Sequence, residues 1–382
     1  MLVTRAEAQL ILNNLQNGTV PLEFAHIYNV DREEQIAQLC CEIGDPALGR
    51  HRLKFVNGEY GQGKTQMLGV VRQWAIQNGY AASHVVLRSR GTSLADLRSV
   101  YGAILRNLWR PERNRSAVQA VLEVVFSRYM EWRAPIVSRR LPCPLYGHMS
   151  MLFCHHCYEE GNVERQYLPG FEELEPTFRR AVSMYRRAAE GDAPDNWTKE
   201  QVVRFLEDDL GYRRGLNFIG TWLPLSAEEI LDGLGQITKI FRLSGLKGLV
   251  IALDEAEAIP SIGGAGVSSG YANLGALIEA AQQVREIYFI YATTPTFFDD
   301  VRRHAQAIAR RVSTETRMNL APLTENDLVT LATRVAGLVA LASEGAGCEA
   351  RVVQVGREIA ARQGARSVRD FLTALFATAN VS

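Results

Sequence analysis

The sequence has no run of about eighteen apolar residues, no excess of either charge and few cysteines. Without a long apolar run there is no candidate membrane-spanning helix, and the first residues lack the apolar core and cleavage site of a secretory signal. Lysine and arginine together number 42, as do aspartate and glutamate, so the whole chain does not strongly attract nucleic acid or membrane. We therefore expect a soluble, cytoplasmic protein in which any polyanion site is local.

Cysteine is scarce in a chain that otherwise has the composition of a folded protein. Its 382 residues are 47% hydrophobic, which is enough to bury a large core and suggests two or three structural units. The six cysteines do not make a disulfide scaffold in a chain of this length. Three of them cluster with histidines, which in a reducing compartment indicates a metal site rather than disulfide bonds.

A glycine-rich stretch, "GEYGQGKT" at residues 58–65, matches the G-x-x-x-x-G-K-[ST] pattern of a phosphate-binding loop. Glycines let the backbone fold around a phosphate chain with its N–H groups turned inward, and a following helix adds its own free N–H groups. Lys64 is expected to reach the β- and γ-phosphates, and the Thr65 hydroxyl to coordinate Mg²⁺. The residues predicted to contact the nucleotide here are Gly58, Glu59, Tyr60, Gly61, Gln62, Gly63, Lys64, Thr65 and Gln66.

The sequence on both sides of this loop has the order that a phosphate site requires. Residues 52–57, "RLKFVN", form a short apolar run typical of a buried strand, and residues 64–80 carry apolar side chains at helical spacing. The alternative is a plain turn between a strand and a helix. Because strand, glycine loop and helix follow one another, we predict nucleotide binding here.

A second acidic element, "GLVIALDEAEAIP" at residues 248–260, is suited to hold the metal and orient water. Its apolar run is typical of a parallel strand covered on both faces, and it ends in Asp254 and Glu255. We predict that Asp254 contacts Mg²⁺ and that Glu255 acts as general base. The alternative is that two acids mark where a buried strand surfaces. Glu257, on the same side as Glu255 if the strand continues, is interpreted as a structural or partner-contact residue.

The next apolar run, "IYFIYATTP" at residues 287–295, follows a helical segment and again ends in polar residues. Recurring strand, helix and strand indicate an α/β fold with a parallel sheet. The end of this strand is expected beside the phosphate loop, where Thr294, or less favourably Thr293, senses the γ-phosphate or the attacking water. A simple Thr-Thr-Pro turn is an equally good interpretation.

Three further stretches resemble the AAA+ ATPases, in particular the branch near the origin-recognition and STAND-type ATPases. Residues 30–36, "VDREEQI", resemble that branch's motif preceding the phosphate loop, on the adenine side. Residues 309–312, "ARRV", stand where the family carries an arginine finger, and residues 364–372, "GARSVRDFL", resemble its sensor-2 helix.

Three motifs, "GEYGQGKTQML", "LDEAEAI" and "ATTPTFF", and a cysteine-containing insert carry a narrower resemblance. These stretches are similar to the ATP-binding proteins of bacterial BREX-type phage-defence systems (BrxD-like). This likeness implies ATP and Mg²⁺ as cofactors and other defence-system or DNA-processing proteins as partners. DNA bound without sequence specificity is a further candidate partner, and no membrane is expected.

The AAA+ resemblance implies a nucleotide bound between a P-loop core and a small α-helical lid. It also implies a homo-oligomer, because hydrolysis is completed by an arginine from a neighbouring subunit. Arg310 is the first candidate and Arg311 the second, although both can equally lie on a solvated helix end. In the lid, Arg366 and Arg369 are sensor-2 candidates that, three residues apart on one helix, can both face the nucleotide.

The cysteine insert lies in about ninety residues that a minimal α/β core does not need, and contains "CPLYGHMSMLFCHHCY" at residues 143–158. Cys143, Cys154 and Cys157 with one histidine are enough for a four-ligand, structural Zn²⁺ site. His148 is the preferred fourth ligand, because His155 and His156 are crowded between two cysteines of one turn. Buried cysteines without metal are the alternative.

These observations divide the chain into five segments and leave three hypotheses for its function. The first is an ATPase acting as an oligomeric switch or motor, in anti-phage defence or another DNA-linked system. The second is a nucleotide-dependent scaffold with little turnover, and the third a transposition-type AAA+ regulator that assembles on DNA. The first two segments are an N-terminal helical segment with the adenine-side motif (1–46) and the first part of the P-loop ATPase core (47–133). The insert with the predicted zinc site follows (134–225). The second part of the core (226–320) contains Asp254 and Glu255 (the Walker B element), Thr294 (sensor 1) and the arginine finger, and the last segment is the lid with sensor 2 (321–382).

Overall fold

A parallel β-sheet organises the computed structural model of the chain. Its strands are β1 (Leu53–Asn57), β2 (Ala81–Val86), β3 (Leu249–Asp254), β4 (Ile287–Thr293) and β5 (Arg317–Asn319), in the order β2-β3-β4-β1-β5 with every neighbouring pair parallel. The structure describes residues 3–45, 52–109, 116–139, 162–191, 198–207, 227–284, 286–312, 314–343, 348–363 and 367–379.

Helices supply the crossover connections that parallel strands require. Short 3₁₀ helices cover Leu22–Ile27, Phe171–Glu173 and Ala256–Ile262. The α-helices within the described ranges are α1 (Arg5–Gln16), α2 (Glu33–Gly44), α3 (Lys64–Gln77), α4 (Leu97–Arg106), α5 (Ala117–Arg139), α6 (Asn162–Tyr167), α7 (Pro176–Glu190), α8 (Lys199–Leu206), α9 (Ala227–Leu243), α10 (Ala265–Gln283), α11 (Pro295–His304), α12 (Gln306–Arg311), α13 (Glu325–Ala342), α14 (Cys348–Gln363) and α15 (Val368–Ala379).

Both faces of the sheet are covered, which explains why its central strands are continuous apolar runs. Every residue of β3 and β4 is buried. Successive side chains of a strand point to opposite faces, so Ala252 packs with Met67 and Val71 of α3 while Ile251 and Leu253 join the larger cluster beneath α4, α9 and α10. The architecture is therefore α/β with a parallel sheet between helical layers, consistent with a P-loop NTPase-like core.

The described helices of the predicted insert, α6 to α8, pack into the same apolar cluster as one face of the sheet. Arg186 of α7 donates hydrogen bonds to Glu164 of α6 at 2.6 Å and to Glu190 of α7 at 2.6 Å. Arg186 and Glu164 are almost wholly buried, so each charge depends on the other to offset its desolvation. The predicted zinc ligands Cys143, His148, Cys154 and Cys157 lie outside the described residues.

The N-terminal helix packs against the C-terminal helices rather than against the sheet. Ala8 and Ile11 of α1 share an apolar cluster with Leu331 and Val335 of α13 and Phe371 of α15. These residues lie more than 300 positions apart in the sequence, and their packing makes one helical unit beside the core. Among the described helices, none has the length and apolar character to cross a bilayer.

Candidate nucleotide-binding site

A cavity of about 790 Å³ opens at the carboxyl ends of the strands. It is lined by the 58–65 loop, the ends of β2 and β3, the residues after α1 and the start of α15. In parallel α/β sheets, ligands bind at this edge because loops and helix N-termini converge there. The cavity therefore brings together elements from distant parts of the chain.

The 58–65 loop joins β1 to α3, as the motif predicts, and two of its glycines adopt left-handed backbone angles. Gly61 has φ +79° and Gly63 has φ +83°, a region that side-chain-bearing residues rarely occupy. The loop is pinned by the Glu59 N–H, which donates to Gln62 Oε1 at 2.8 Å. This turn places the N-terminus of α3 at the cavity, where free N–H groups and the helix dipole favour an anion.

Lys64 is held at the inner side of this loop. Its ammonium donates to the carbonyl of Gly58 at 2.6 Å and to that of Glu59 at 3.1 Å. Burial lowers the pKa of Lys64, and the nearby carboxylates of Glu257 and Asp254 act in the opposite direction. The lysine thus supplies a buried positive charge to a cavity whose other charged side chains include carboxylates.

Thr65 and Asp254 meet at the foot of the cavity. The Thr65 hydroxyl donates to Asp254 Oδ2 at 2.6 Å, and the Glu255 N–H donates to Oδ1 at 3.0 Å. Burial acts to raise the pKa of Asp254, but hydrogen bonds from His84, Thr65 and the Glu255 N–H outweigh it and lower the pKa. Asp254 is therefore ionised near neutral pH, with a hydroxyl and a carboxylate side by side as Mg²⁺ ligands require.

Glu255 lines the cavity directly after β3 ends. Its backbone has φ +57°, which turns the chain into the following 3₁₀ helix, and its side chain is exposed. The strand ends at Asp254, so Glu257 does not share a strand face with Glu255. Glu257 instead lies in the 3₁₀ helix, lines the cavity, and has a pKa raised by burial.

The end of β4 lies beside the phosphate-loop strand. Thr293 is in register with Asn57, and its carbonyl accepts a hydrogen bond from the Gly58 N–H at 3.1 Å. Thr294 lines the cavity, with its hydroxyl 2.9 Å from that of Thr296. Thr293 is fully buried and does not line it. Of the two threonines, Thr294 is the one that lines the cavity.

The start of α15 contacts the phosphate loop. The Val368 N–H donates to the Gly61 carbonyl at 2.9 Å. The Arg369 guanidinium bonds the Tyr60 hydroxyl and lies 5.6 Å from the centre of its ring. Gly61 has no room for a side chain, because a β-carbon there would lie 2.6 Å from Cβ of Ser367. Through these contacts Val368 and Arg369 lie beside the loop, and both line the cavity.

Arg32, in the "VDREEQI" stretch, ties the loop to the segment that follows β5. Its guanidinium donates to the Ala321 carbonyl at 2.7 Å and to the Gln62 carbonyl at 3.4 Å. The side chain is only 4% exposed. This arginine therefore supports the back of the phosphate loop, and it does not line the cavity.

The predicted arginine-finger residues lie on α12, and no described residue of that helix lines this cavity. Arg310 is exposed and is not part of the cavity lining. The side chain of Arg311 and the whole of Arg366 fall outside the described residues. Within the described part of the chain, no group of three or more His, Cys, Asp or Glu side chains is arranged to hold a metal ion.

His84 is a site residue that the sequence reasoning missed. It lies on β2, lines the cavity, and its Nε2 is 3.3 Å from Asp254 Oδ2. The available signal was a histidine inside the short apolar strand "AASHVV". A polar ring in a buried strand needs a partner, and a strand ending beside Asp254 provides one.

The arrangement fits a nucleoside triphosphate with Mg²⁺. The N-terminus of α3 and Lys64 suit phosphates, Thr65 and Asp254 offer oxygen ligands of the kind Mg²⁺ prefers, and the volume accommodates a nucleotide. A family model described as BREX system ATP-binding protein BrxC/D matches residues 3–367, nearly the whole chain. A comparison with curated proteins gave no match.

Proposed function

The chain belongs to the BREX system ATP-binding protein family BrxC/D, and from this premise we propose that it is an AAA+ ATPase that hydrolyses MgATP as an oligomeric switch or motor. The observation that best supports the proposal is the hydrogen bond of 2.6 Å from the Thr65 hydroxyl to Asp254 Oδ2. It joins the phosphate loop to a carboxylate at the foot of one cavity, which is the pairing that metal-assisted phosphoryl transfer needs.

Binding is assigned to the loop and the helix that follows it. The N–H groups at the start of α3 hold the phosphates, and Lys64 exchanges its two carbonyl partners for phosphate oxygens. Thr65 and Asp254 hold Mg²⁺, which when bound neutralises charge that develops on the phosphates. The buried setting of Lys64 and Asp254 strengthens these interactions because water screens them less.

Hydrolysis is assigned to the residues at the cavity rim. Glu255 accepts a proton from the attacking water, and Thr294 orients that water or the γ-phosphate by hydrogen bonding. Helices α13 to α15, with α1, act as the lid, and Arg369 at the start of α15 is the sensor-2 residue. The contact between Val368 and Gly61 supports this role, because it links lid position to the phosphate loop.

The proposal is tested by phosphate release from the purified chain. We expect release of phosphate from ATP that requires added Mg²⁺ and falls to background when Mg²⁺ is omitted, because Thr65 and Asp254 act on phosphate only through the ion. Calcium ions serve as the control cation, since they take oxygen ligands but prefer larger, less regular coordination. Phosphate release that is equal with and without Mg²⁺ would contradict the proposed site.

Completion of the site by a neighbouring subunit is part of the proposal. The exposure of Arg310 on α12, outside its own subunit's cavity, supports a role in trans. Arg310→Ala should lower turnover by at least about tenfold through loss of charge at the transition state, with ATP affinity retained. Arg303→Ala, an exposed arginine on α11, is the matched control.

Mixing Arg310→Ala protein with Glu255→Gln protein tests the trans arrangement further. An interface is complete when the Arg310→Ala subunit holds the nucleotide and the Glu255→Gln subunit supplies the arginine, so the mixture should regain turnover that neither variant has alone. A mixture as inactive as its components would contradict an arginine supplied in trans. In the cell, we propose that the ATP cycle serves anti-phage defence together with other proteins of the system, with DNA as a candidate partner.

A further inference from the structure

His84 occupies the face of β2 that is turned toward α3. Residues two apart in a strand share a face, and the neighbours of His84 on that face, Ala82 and Val86, are small or apolar. Its register partner on β3 is Ala252, so Asp254 follows two residues further on the same face. The imidazole is therefore the polar group on β2 that the sheet directs at the Asp254 carboxylate, and its side chain is only 6% exposed.

The ionisation state of the Asp254 carboxylate determines which of the two side chains donates the hydrogen bond between His84 and Asp254. An ionised carboxylate accepts hydrogen bonds and cannot donate them. Asp254 already accepts from Thr65 and from the Glu255 N–H, which favours its ionised form. The contact of 3.3 Å is therefore donated by His84 Nε2, and the ring holds a defined orientation.

Among the described residues, these hydrogen bonds leave the Asp254 carboxylate with one acceptor position that accepts no hydrogen bond. Each carboxylate oxygen accepts about two hydrogen bonds. Oδ2 accepts from Thr65 and from His84, whereas Oδ1 accepts from the Glu255 N–H among the described residues. The carboxylate cannot rotate without breaking these bonds, and its remaining acceptor position is on Oδ1.

We propose that His84 is a positioning residue for the Mg²⁺ site, which fixes the Asp254 carboxylate so that Oδ1 is presented to the ion or to water bound to it. The inference rests on the proposed function, since it assigns His84 to the same MgATP site. Groups that orient a metal ligand lower the ordering cost of binding, and losing them weakens metal affinity about 10- to 100-fold. A histidine that merely fills the core would leave metal affinity unchanged.

The test compares three His84 variants and one control variant by the affinity of Mn²⁺ for the complex of protein and ADP, measured by electron paramagnetic resonance. His84→Leu has similar volume and no donor, and should bind Mn²⁺ about tenfold more weakly. His84→Gln carries a donor at a reach similar to that of Nε2, and should stay within about threefold of the wild type. His84→Asn is polar but shorter, and should behave like His84→Leu.

Ser83→Ala is the matched structural control. Ser83 precedes His84 on β2, faces the other side of the sheet, and donates to the Ile104 carbonyl at 2.7 Å. Its removal costs one buried hydrogen bond, as His84→Leu does, so its melting temperature should fall while Mn²⁺ affinity stays at the wild-type value.

Each outcome decides the inference. If the folded His84→Leu protein binds Mn²⁺ as the wild type does, His84 is a core residue and the inference is overturned. If His84→Leu does not fold, equal Mn²⁺ affinities of His84→Asn and His84→Gln overturn it instead. A wild-type protein that binds neither ADP nor ATP overturns the proposed function itself, which separates that failure from the failure of His84 alone.

Discussion

Lys64→Ala should weaken ATP binding by at least about 100-fold, because charge-assisted hydrogen bonds contribute about 1.5–3 kcal/mol each and Lys64 is assigned to two phosphates. The ammonium also lies in the buried part of the cavity, where no other described lysine contributes to the lining. The measurement is equilibrium binding of a fluorescent ATP analogue, followed by competition with unlabelled ATP.

The matched control for this variant is Lys239→Ala. Lys239 also donates to a backbone carbonyl, that of Glu173 at 2.8 Å, but it lies outside the cavity. Its replacement should leave ATP affinity unchanged. If Lys64→Ala binds ATP as tightly as Lys239→Ala does, the 58–65 loop is not a phosphate site.

Glu255→Gln should keep ATP bound while phosphate release falls by about 10³-fold, within the range that general-base catalysis contributes. Glutamine preserves the size and polarity of the side chain but cannot take a proton from water. Its affinity for ATP should stay within about threefold of the wild type, since Glu255 is assigned to the water and not to the nucleotide. Binding and phosphate release are measured on the same preparation.

Two further variants show whether this effect belongs to Glu255. Glu286→Gln removes an exposed carboxylate paired with Arg242 at 2.9 Å, away from the cavity, and should keep full turnover. Glu257→Gln alters the other glutamate that lines the cavity. If Glu257→Gln loses more turnover than Glu255→Gln, the general base has been assigned to the wrong carboxylate.

The parts of the site that the sequence predicts are those whose residues lie close together along the chain. The phosphate loop is recognisable because glycine spacing, Lys64 and Thr65 act within eight residues, between β1 and α3 as expected. Asp254 is recognisable because it ends a run of buried apolar residues. Their meeting at 2.6 Å follows from parallel strands that bring their carboxyl ends to one edge of the sheet.

The parts that sequence reasoning missed depend on contacts between distant segments. β2 is short and its apolar run is interrupted by His84. The sequence alone therefore reveals neither the pairing of β2 with β3 nor the hydrogen bond between His84 and Asp254. The residues after Asp254 also do not reveal the left-handed turn at Glu255, which ends the strand before Glu257. The packing of α1 on α13 and α15 joins opposite ends of the chain, which no local pattern records.

The contact between α15 and the phosphate loop gives the proposed ATP cycle a route to movement. Arg369 contacts Tyr60, and Val368 donates to the Gly61 carbonyl, so the start of this helix is in direct contact with the loop. Because α15 shares an apolar cluster with α1 and α13, these helices are expected to move as one unit.

A single-turnover experiment shows whether this cavity hydrolyses the MgATP that it binds. Purified chain in molar excess over γ-labelled ATP is incubated with Mg²⁺, and the bound nucleotide is recovered and analysed over time. The wild type should convert bound ATP to ADP and phosphate, whereas Glu255→Gln should retain intact ATP. Wild-type protein that binds ATP and still holds it intact, with DNA and the system's other proteins present, would contradict hydrolysis and identify a nucleotide-dependent scaffold.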